Sequence, residues 1–203
     1  MSDAAWQDLL ETMAACRRCP GMTSVPGVAR GAPDSRVMVV GQAPAKTTGS
    51  VYLPFGNPGG GKNLFLWLAD IGWDEASFRR AAYFTAVVKC YPGPNPRGKG
   101  DRPPAPREVA NCRPFLAREQ ALLSPRVLVP VGGLAVRELL GPRPLTEVVG
   151  RVFSQGAATL IPLPHPSGAS LWNNDPAHRE LRRRAVGALG EVLTTLGLHP
   201  RST

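Results

Sequence analysis

The chain has 203 residues, 43% of them hydrophobic and 19% charged, with 22 Gly, 22 Pro, four Cys and a formal net charge of +9. This length and composition support a core that needs no disulfides and exclude a wholly disordered chain. No run of about 18 apolar residues occurs, and residues 1–6 lack the basic and apolar regions of a signal peptide. The composition therefore predicts a soluble, cytoplasmic protein with no membrane partner.

Apolar periodicity predicts strands that alternate with helices. The predicted elements are a helix at 4–19, a strand at 36–40, a helix at 63–71, a strand at 82–88, a helix at 107–123, a strand at 126–131, a helix at 134–140, a strand at 159–163 and a helix at 176–196. This alternation predicts one α/β domain over residues 1–203, a three-layer α/β/α fold with a central, mostly parallel sheet of four strands. Residues 91–106 are predicted as a surface loop, and residues 198–203 as a frayed tail.

Arginine supplies most of the positive charge, because only four of the 24 cationic residues are lysines: Lys46, Lys62, Lys89 and Lys99. A net charge of +9 favours an anionic partner, with nucleic acid among the candidates. A high ratio of Arg to Lys also follows from GC-rich coding. Charge by itself therefore does not identify the partner.

Three predicted loops follow the carboxyl ends of strands, where open parallel sheets bind their ligands. They contain, in chain order, Gly41-Gln42-Ala43-Pro44-Ala45, Lys89-Cys90 and His165-Pro166-Ser167. For any one loop, the alternative is that Gly and Pro merely end a strand. A lone His after a strand is likewise more often structural than catalytic. The coincidence of three such loops on one edge of the sheet favours a functional site.

The four cysteines form a second candidate site. Cys16 and Cys19 are separated by two residues, while Cys90 and Cys112 are separated by a loop and the start of a helix. In an intracellular protein, such a set favours metal binding over disulfides. Zn²⁺ and an iron-sulfur cluster both suit four thiolates, and four unrelated buried thiols are a further alternative. The spacing does not decide among them.

Residues 56–63 nearly match a phosphate-binding loop. The match ends in Asn63 where that loop needs Ser or Thr, and no strand leads directly into it. A glycine-rich turn that lets a ligand or a DNA strand approach the backbone is the favoured interpretation. Phe55, which precedes this turn, is either a core aromatic or a platform on which a base stacks.

Together these segments resemble the uracil-DNA glycosylase superfamily, and within it the iron-sulfur branches called families four and five. The matching segments are Gly41-Gln42-Ala43-Pro44-Ala45, Pro54-Phe55 with the Gly-rich stretch into Asn63-Leu64-Phe65, Thr85-Ala86-Val87-Val88-Lys89-Cys90, Asn111-Cys112-Arg113-Pro114-Phe115-Leu116 and His165-Pro166-Ser167. The resemblance implies a [4Fe-4S] cluster on Cys16, Cys19, Cys90 and Cys112. It also implies that this cluster holds a DNA-contacting loop at residues 91–111.

The function implied by the resemblance is DNA repair, in which a damaged base, above all uracil, is flipped out of DNA and its N-glycosidic bond is hydrolysed. Gln42 would orient the water and His165 would stabilise the negative charge that develops on the base. The predicted substrate-binding residues are Gly41, Ala43, Phe55, Asn57, Ala86 and Ser167. The predicted DNA-binding residues are Lys89, Arg97, Arg102, Arg113 and Arg179. The expected partner is single- or double-stranded DNA, bound by a monomer.

The sequence departs from the pattern of both families. Gln42 stands where family four has an acidic residue, and Ala86 stands where it has an Asn that reads the uracil edge. Family five carries an Asp where this chain has Asn57 or Pro58. These departures indicate a divergent member. They keep two alternatives open: a weak or inactive module that binds damaged or single-stranded DNA, and a glycosylase for another deaminated base.

Overall fold

The computed structural model describes residues 3–22, 31, 34–45, 55, 60–98, 100–167 and 170–200. The helices are α1 (Asp3–Ala14), α2 (Gly60–Ala69), α3 (Glu75–Ala81), α4 (Pro106–Leu123), α5 (Gly133–Leu140), α6 (Leu145–Val148) and α7 (Pro176–Thr195). The strands are β1 (Val37–Gly41), β2 (Ala82–Ala86), β3 (Val127–Pro130), β4 (Phe153–Gln155) and β5 (Ala158–Leu160). A short 3-10 helix, Leu171–Asn174, precedes α7. Among the described helices, none has the length and apolar character that a membrane span requires.

The sheet has five strands in the order β2-β1-β3-β5-β4. Strands β1, β2, β3 and β5 pair in parallel, and β4 pairs antiparallel with β5. The predicted mostly parallel sheet is confirmed, but the predicted count of four strands is corrected to five. The missed strand β4 is a three-residue edge strand whose side chains are half-buried or exposed. It therefore lacks the apolar run that marks an inner strand.

The two faces of the sheet form two separate hydrophobic clusters, as the period of two along β1 dictates. Val37 and Val39 face the side covered by α2, α3 and α7. Met38 and Val40 face the other side, which is covered by α4 and α5. Helices therefore cover both faces, which confirms the three layers. Helix α1 packs on α4 through the fully buried Leu9 and Met13.

Several element ends differ from the predicted ones. Helix α1 ends at Ala14 and not at residue 19, so Cys16 and Cys19 follow the helix. The missed helix α3 has only seven residues, too few for a clear apolar period, and Asp74 caps it by accepting a hydrogen bond from the N–H of Ser77 at 2.7 Å. At the other end of the chain, residues 201–203 of the predicted tail lie outside the described part.

The last inner strand is also shorter than predicted. It runs over Ala158–Leu160, and beyond it Leu163 forms an isolated parallel bridge with Val131. Pro162 and Pro164 lie in this stretch, and neither has an N–H to donate to a sheet ladder. The bridge nevertheless carries the chain alongside β3 to the sheet edge where His165 lies.

Candidate functional site

The first two predicted loops meet at the carboxyl edge of the sheet. Gly41 and Ala86 are the last paired residues of β1 and β2. The pairing then continues into the loops, because Val87 donates its N–H to the Gly41 carbonyl at 2.9 Å and Val88 donates to the Gln42 carbonyl at 3.1 Å. The register of two parallel strands thus holds the Gln42 loop beside the Ala86 loop.

His165 reaches the same edge through β3. The N–H of Gly132 donates to the Leu163 carbonyl at 2.9 Å, which aligns the chain before His165 with the end of β3. Gly132 has φ of +86°, and a Cβ built on it would lie 3.2 Å from Cδ2 of His165. The imidazole therefore lies directly against a glycine backbone, in a space that a side chain at position 132 would crowd.

The hydrogen bonds of Ser167 select the tautomer of His165, and burial favours the neutral ring. The Ser167 backbone N–H donates to Nδ1 of His165 at 3.2 Å, and the Ser167 hydroxyl lies 2.9 Å from the same nitrogen. A backbone N–H can only donate, so Nδ1 is an acceptor and the proton of the neutral ring is on Nε2. Burial lowers the pKa of His165. The ring is therefore a neutral imidazole whose Nε2–H is available as a donor.

Two asparagine side chains hold the loop that carries His165. Asn63 of α2 donates from Nδ2 to the Pro166 carbonyl at 2.8 Å, and Asn173 of the 3-10 helix donates to the His165 carbonyl at 3.0 Å. Sequence reasoning missed both contacts. Asn63 lies in a segment that matches the family, but its residue type alone assigns it no role. No pattern in the chain reports a bond from an amide to a distant backbone carbonyl.

Phe55 lies over the end of β1 and packs against the hydrophobic core, so its role as a stacking platform stays a prediction. A Cβ on Gly41 would come within 3.1 Å of Cζ of Phe55, so the ring rests on a glycine. The Phe55 ring also meets Phe84 edge-on, with centroids 6.1 Å apart. Its backbone φ of +54° is unusual for an aromatic residue. The ring is half-buried, which leaves part of it exposed.

The other predicted substrate contacts differ in accessibility. Ala86 is only 5% exposed, and Ala43 packs against the core on the α4 side of the sheet. Gln42 is half-buried directly after β1. Asn57 lies outside the described residues. Ser167 contacts His165, which makes it a residue that positions the imidazole.

The prediction that Lys89 binds DNA is wrong. Its side chain is 2% exposed, and Nζ donates at 2.6 Å each to Thr85 Oγ1, the Ala86 carbonyl and Glu119 Oε2. An ammonium has three N–H donors, so all of them are occupied inside the protein. Glu119 is fully buried and also accepts from the hydroxyl of Tyr83 at 3.0 Å. The one feature of the sequence that could have revealed this pair is Glu119 itself, a carboxylate among the apolar residues on the buried side of α4.

The four predicted DNA-binding arginines are not buried, but three of them make internal contacts. Arg97 is exposed in the 91–105 loop. Arg102 forms a two-pronged pair with Glu108 at 2.6 and 2.8 Å. Arg113 pairs with Glu138 at 2.9 Å, and Arg179 donates to the Asn174 carbonyl at 2.9 Å. Contact between these arginines and DNA stays a prediction.

The four cysteines line a single cavity of about 290 Å³ between the end of α1, the β2 loop and α4. Burial raises the pKa of Cys90 to about 12, and the charges of the other three cysteines add to this rise. Burial raises the pKa of Cys112 as well. Neighbouring thiols become thiolates together when bound cations balance their charge. The donor set and the shared cavity therefore suit an iron-sulfur group.

In the described part of the chain, no three His, Cys, Asp or Glu residues are grouped so as to hold a metal ion. The choice of an iron-sulfur cluster over a single ion therefore rests on the family resemblance. Two donors point at the sulfurs: Asn111 donates to Cys19 Sγ at 3.4 Å, and the Lys89 backbone N–H donates to Cys112.

The fold and site define an α/β protein with a histidine loop at the carboxyl edge of a parallel sheet and a four-thiol cavity beside it. The family model of the uracil DNA glycosylase superfamily matches residues 28–188. The chain therefore belongs to this superfamily, which confirms the resemblance in its sequence. At the level of the family, the prediction of a glycosylase-type hydrolase is confirmed as well.

Three relatives show how far the similarity extends. A type-5 uracil-DNA glycosylase of Pyrobaculum aerophilum is 28% identical, over 93% of this chain and 90% of that protein. A type-4 uracil-DNA glycosylase of Archaeoglobus fulgidus is 33% identical, over 64% and 61%. A type-4 enzyme of Thermotoga maritima is 29% identical, over 77% and 79%. This chain is thus similar to both types.

Proposed function

We propose that this protein removes uracil from DNA by hydrolysing its N-glycosidic bond, which is the first step of base excision repair. The observation that carries the proposal is the neutral His165, whose Nδ1 accepts from Ser167 so that Nε2–H is a donor. It lies at the sheet edge where β1 and β2 end, and Phe55 covers Gly41 at that edge. The same edge of the sheet therefore offers an aromatic ring, Phe55, on which a base could stack and a hydrogen-bond donor, Nε2–H of His165.

The chemistry that this donor supports is departure of the base as an anion. When the bond between C1′ and the base nitrogen breaks, its electron pair stays with the base, and negative charge spreads to the base oxygens. A fixed N–H aimed at such an oxygen stabilises that charge without reorganising. Loss of a comparable oxyanion donor costs about 2.7–4 kcal/mol of transition-state stabilisation. His165 is the residue proposed for this role.

Water completes the reaction by adding its oxygen to C1′ and releasing a proton. Gln42, at the end of β1, is the side chain proposed to orient that water. An amide hydrogen-bonds water but does not accept its proton at neutral pH. Since the sugar is cationic when water attacks, positioning is the main requirement. Gln42 is therefore a positioning residue, and the proton passes to solvent.

Access to a base inside a duplex requires that it leave the stack. Leu171, in the 3-10 helix after the His165 loop, is 78% exposed although it is apolar. An apolar side chain inserted between base steps is a common way to unstack DNA. We assign this wedge role to Leu171, because Asn173 of the same helix is bonded to the His165 carbonyl. Exposed arginines such as Arg97 would hold the phosphates.

We propose that Cys16, Cys19, Cys90 and Cys112 hold a [4Fe-4S] cluster. The support is the shared thiol cavity and the donor set, since four cysteines are the usual ligands of such a cluster. Cys16 and Cys19 follow α1, Cys90 follows β2 and Cys112 lies in α4, so a cluster held by all four would join these segments. Its proposed role is structural, since it would fix the start of the loop at residues 91–105 that carries Arg97.

The test of the glycosylase proposal is base release by the purified protein from single- and double-stranded DNA that contains uracil, hypoxanthine or xanthine. We expect uracil release, and we expect His165→Ala to lower kcat at least 100-fold with little change in DNA affinity. His199→Ala, in the exposed tail, is the matched control and should retain activity. Release of hypoxanthine or xanthine without uracil would revise the substrate. DNA binding without release of any base would identify a binding module.

The cluster proposal has its own test. Protein purified without oxygen should contain four irons per chain, absorb visible light and lose both properties in Cys19→Ser. Zinc in place of iron, or no metal at all, would contradict the cluster. Either result would leave the glycosylase assay to be judged separately.

A further inference from the structure

Asn111 connects helix α4 to the segment that carries Cys16 and Cys19. It directly precedes Cys112, and its Nδ2 lies 3.3 Å from the Arg18 carbonyl and 3.4 Å from Cys19 Sγ. A side-chain amide has two N–H donors, so both bonds form at the same time. One half-exposed side chain thus contacts a thiol ligand and the backbone beside it, 92 residues away in the chain.

Most of the described hydrogen bonds of the segment around Cys19 are local. Its residues 16–19 lie outside any helix or strand. Arg17 donates to the carbonyls of Ala14 and Cys16, and Met22 donates its N–H to the Cys19 carbonyl at 3.0 Å. These bonds shape the segment internally. Arg18 also lies over the ring of Phe115 in α4, 5.7 Å from its centroid. Asn111 adds a hydrogen-bonded attachment to α4, directly beside Cys112.

The chemistry of the contact favours a ligand in its charged form. An amide N–H is a poor match for a neutral thiol, since sulfur is a weak acceptor. The same N–H bonds more strongly to a thiolate or to a sulfur that carries the charge of a cluster. Hydrogen bonds to the sulfurs are among the factors that set the reduction potential of an iron-sulfur cluster. Adding an electron increases the negative charge on sulfur, so a donor there stabilises the reduced form.

We propose that Asn111 is a tuning residue for the cluster, which donates a hydrogen bond to the bound Cys19 sulfur and raises the reduction potential. The same side chain fastens the Cys16–Cys19 segment to α4 through the Arg18 carbonyl. This inference rests on the proposed cluster. A purely structural role would keep the second bond and leave the potential unchanged.

The experiment is a potentiometric titration of the iron-loaded protein with soluble redox mediators. Asn111→Leu removes the donor at similar volume, and Asn111→Asp replaces the N–H by an acceptor oxygen. Gln7→Leu is the matched control, because it removes an amide that is bonded on the surface of α1, to Glu11. We expect the midpoint potential to fall in Asn111→Leu, to fall further in Asn111→Asp and to stay at the wild-type value in the control.

Iron content separates the possible outcomes. If Asn111→Leu keeps its iron and the wild-type potential, the proposal is overturned. If that variant loses its iron, Asn111→Gln and Asn111→Asp carry the test, since only Gln keeps an N–H, and equal potentials would overturn the proposal. Wild-type protein without iron would refute the cluster itself. Wild-type protein with iron but without base release would refute the glycosylase and leave the Asn111 test intact.

Discussion

The backbone N–H of Ser167 lies 3.2 Å from Nδ1 of His165, so the protein backbone itself selects the tautomer of the candidate catalytic residue. The hydroxyl of the same serine supplies a second contact to that nitrogen, at 2.9 Å. Because both contacts are local, a turn of three residues is enough to fix the proton of the neutral ring on Nε2. The surrounding elements then determine where this turn lies.

Protonation of His165 should make stability depend on pH. Burial holds its pKa in the folded state below the ordinary value of about 6.5. As pH falls below about 6.5, the unfolded chain binds a proton that the folded chain does not yet bind. The free energy of unfolding therefore decreases until the folded pKa is reached. Urea unfolding across this range should show the slope, and His165→Gln should remove its His165 component. An NMR titration of His165 at or above 6.5 would contradict the expectation.

Gly132 should be far less tolerant of substitution than Gly133, the residue that follows it. Its backbone, with φ of 86° and ψ of 164°, lies in a region that is essentially restricted to glycine. A methyl group there would also meet His165 at 3.2 Å. We expect Gly132→Ala to cost roughly 1–3 kcal/mol of stability and to lower kcat.

Gly133→Ala is the matched control for this substitution. A Cβ at position 133 meets nothing within 4 Å, and the residue begins α5, where Ala is favoured over Gly. We expect stability equal to or above that of the wild type, measured by urea unfolding. Equal losses in both variants would show that the contact with His165 is unimportant.

Replacing only one partner of the buried pair of Lys89 and Glu119 should strongly lower the free energy of unfolding. Their side chains are 2% and 0% exposed and lie 2.6 Å apart. Lys89→Met leaves a buried carboxylate without its cation, which costs about 3–5 kcal/mol. Lys89→Met combined with Glu119→Leu removes both charges and should recover part of that loss, because the buried hydroxyls of Tyr83 and Thr85 then lack their acceptor.

A surface pair provides the comparison. Arg183 and Glu180 are bonded at 2.6 Å, but their side chains are 61% and 41% exposed. Arg183→Met should change the free energy of unfolding by at most about 1 kcal/mol. Denaturant unfolding of all the variants measures the difference. A Lys89→Met protein as stable as Arg183→Met would show that the buried pair contributes no more to the free energy of unfolding than a surface pair does.

The asparagines that hold the His165 loop should affect turnover more than stability. Asn63→Leu and Asn173→Leu each remove one bond to a loop carbonyl, at 2.8 and 3.0 Å. Because a small displacement of a catalytic group is expensive, we expect kcat to fall roughly 10- to 100-fold with KM little changed. Asn174→Leu, on the exposed neighbouring position, should behave as the wild type. A change in KM alone would place these residues in substrate binding instead.

Much of the fold could be predicted because β1, β2 and β3 are nearly continuous apolar runs, which is the signature of strands buried on both faces. The parallel order, the three layers and the loops at the carboxyl edge followed from that pattern. Glu119 was not predicted. It lies on the buried side of α4, and its partner Lys89 depends on how β2 packs against α4.

The sequence by itself determined the candidate residues of the site: the four cysteines, the His165 turn and the glycines that end the strands. Each of these patterns lies within a few consecutive residues, so it can be recognised without knowing how distant segments pack. The tertiary structure decided everything that depends on contacts between distant segments. It buried Lys89 against Glu119, 30 residues away, and brought Asn63 to Pro166, 103 residues away. It also placed Asn111 on Cys19, because only the packing of helices and strands brings such residues within hydrogen-bond distance.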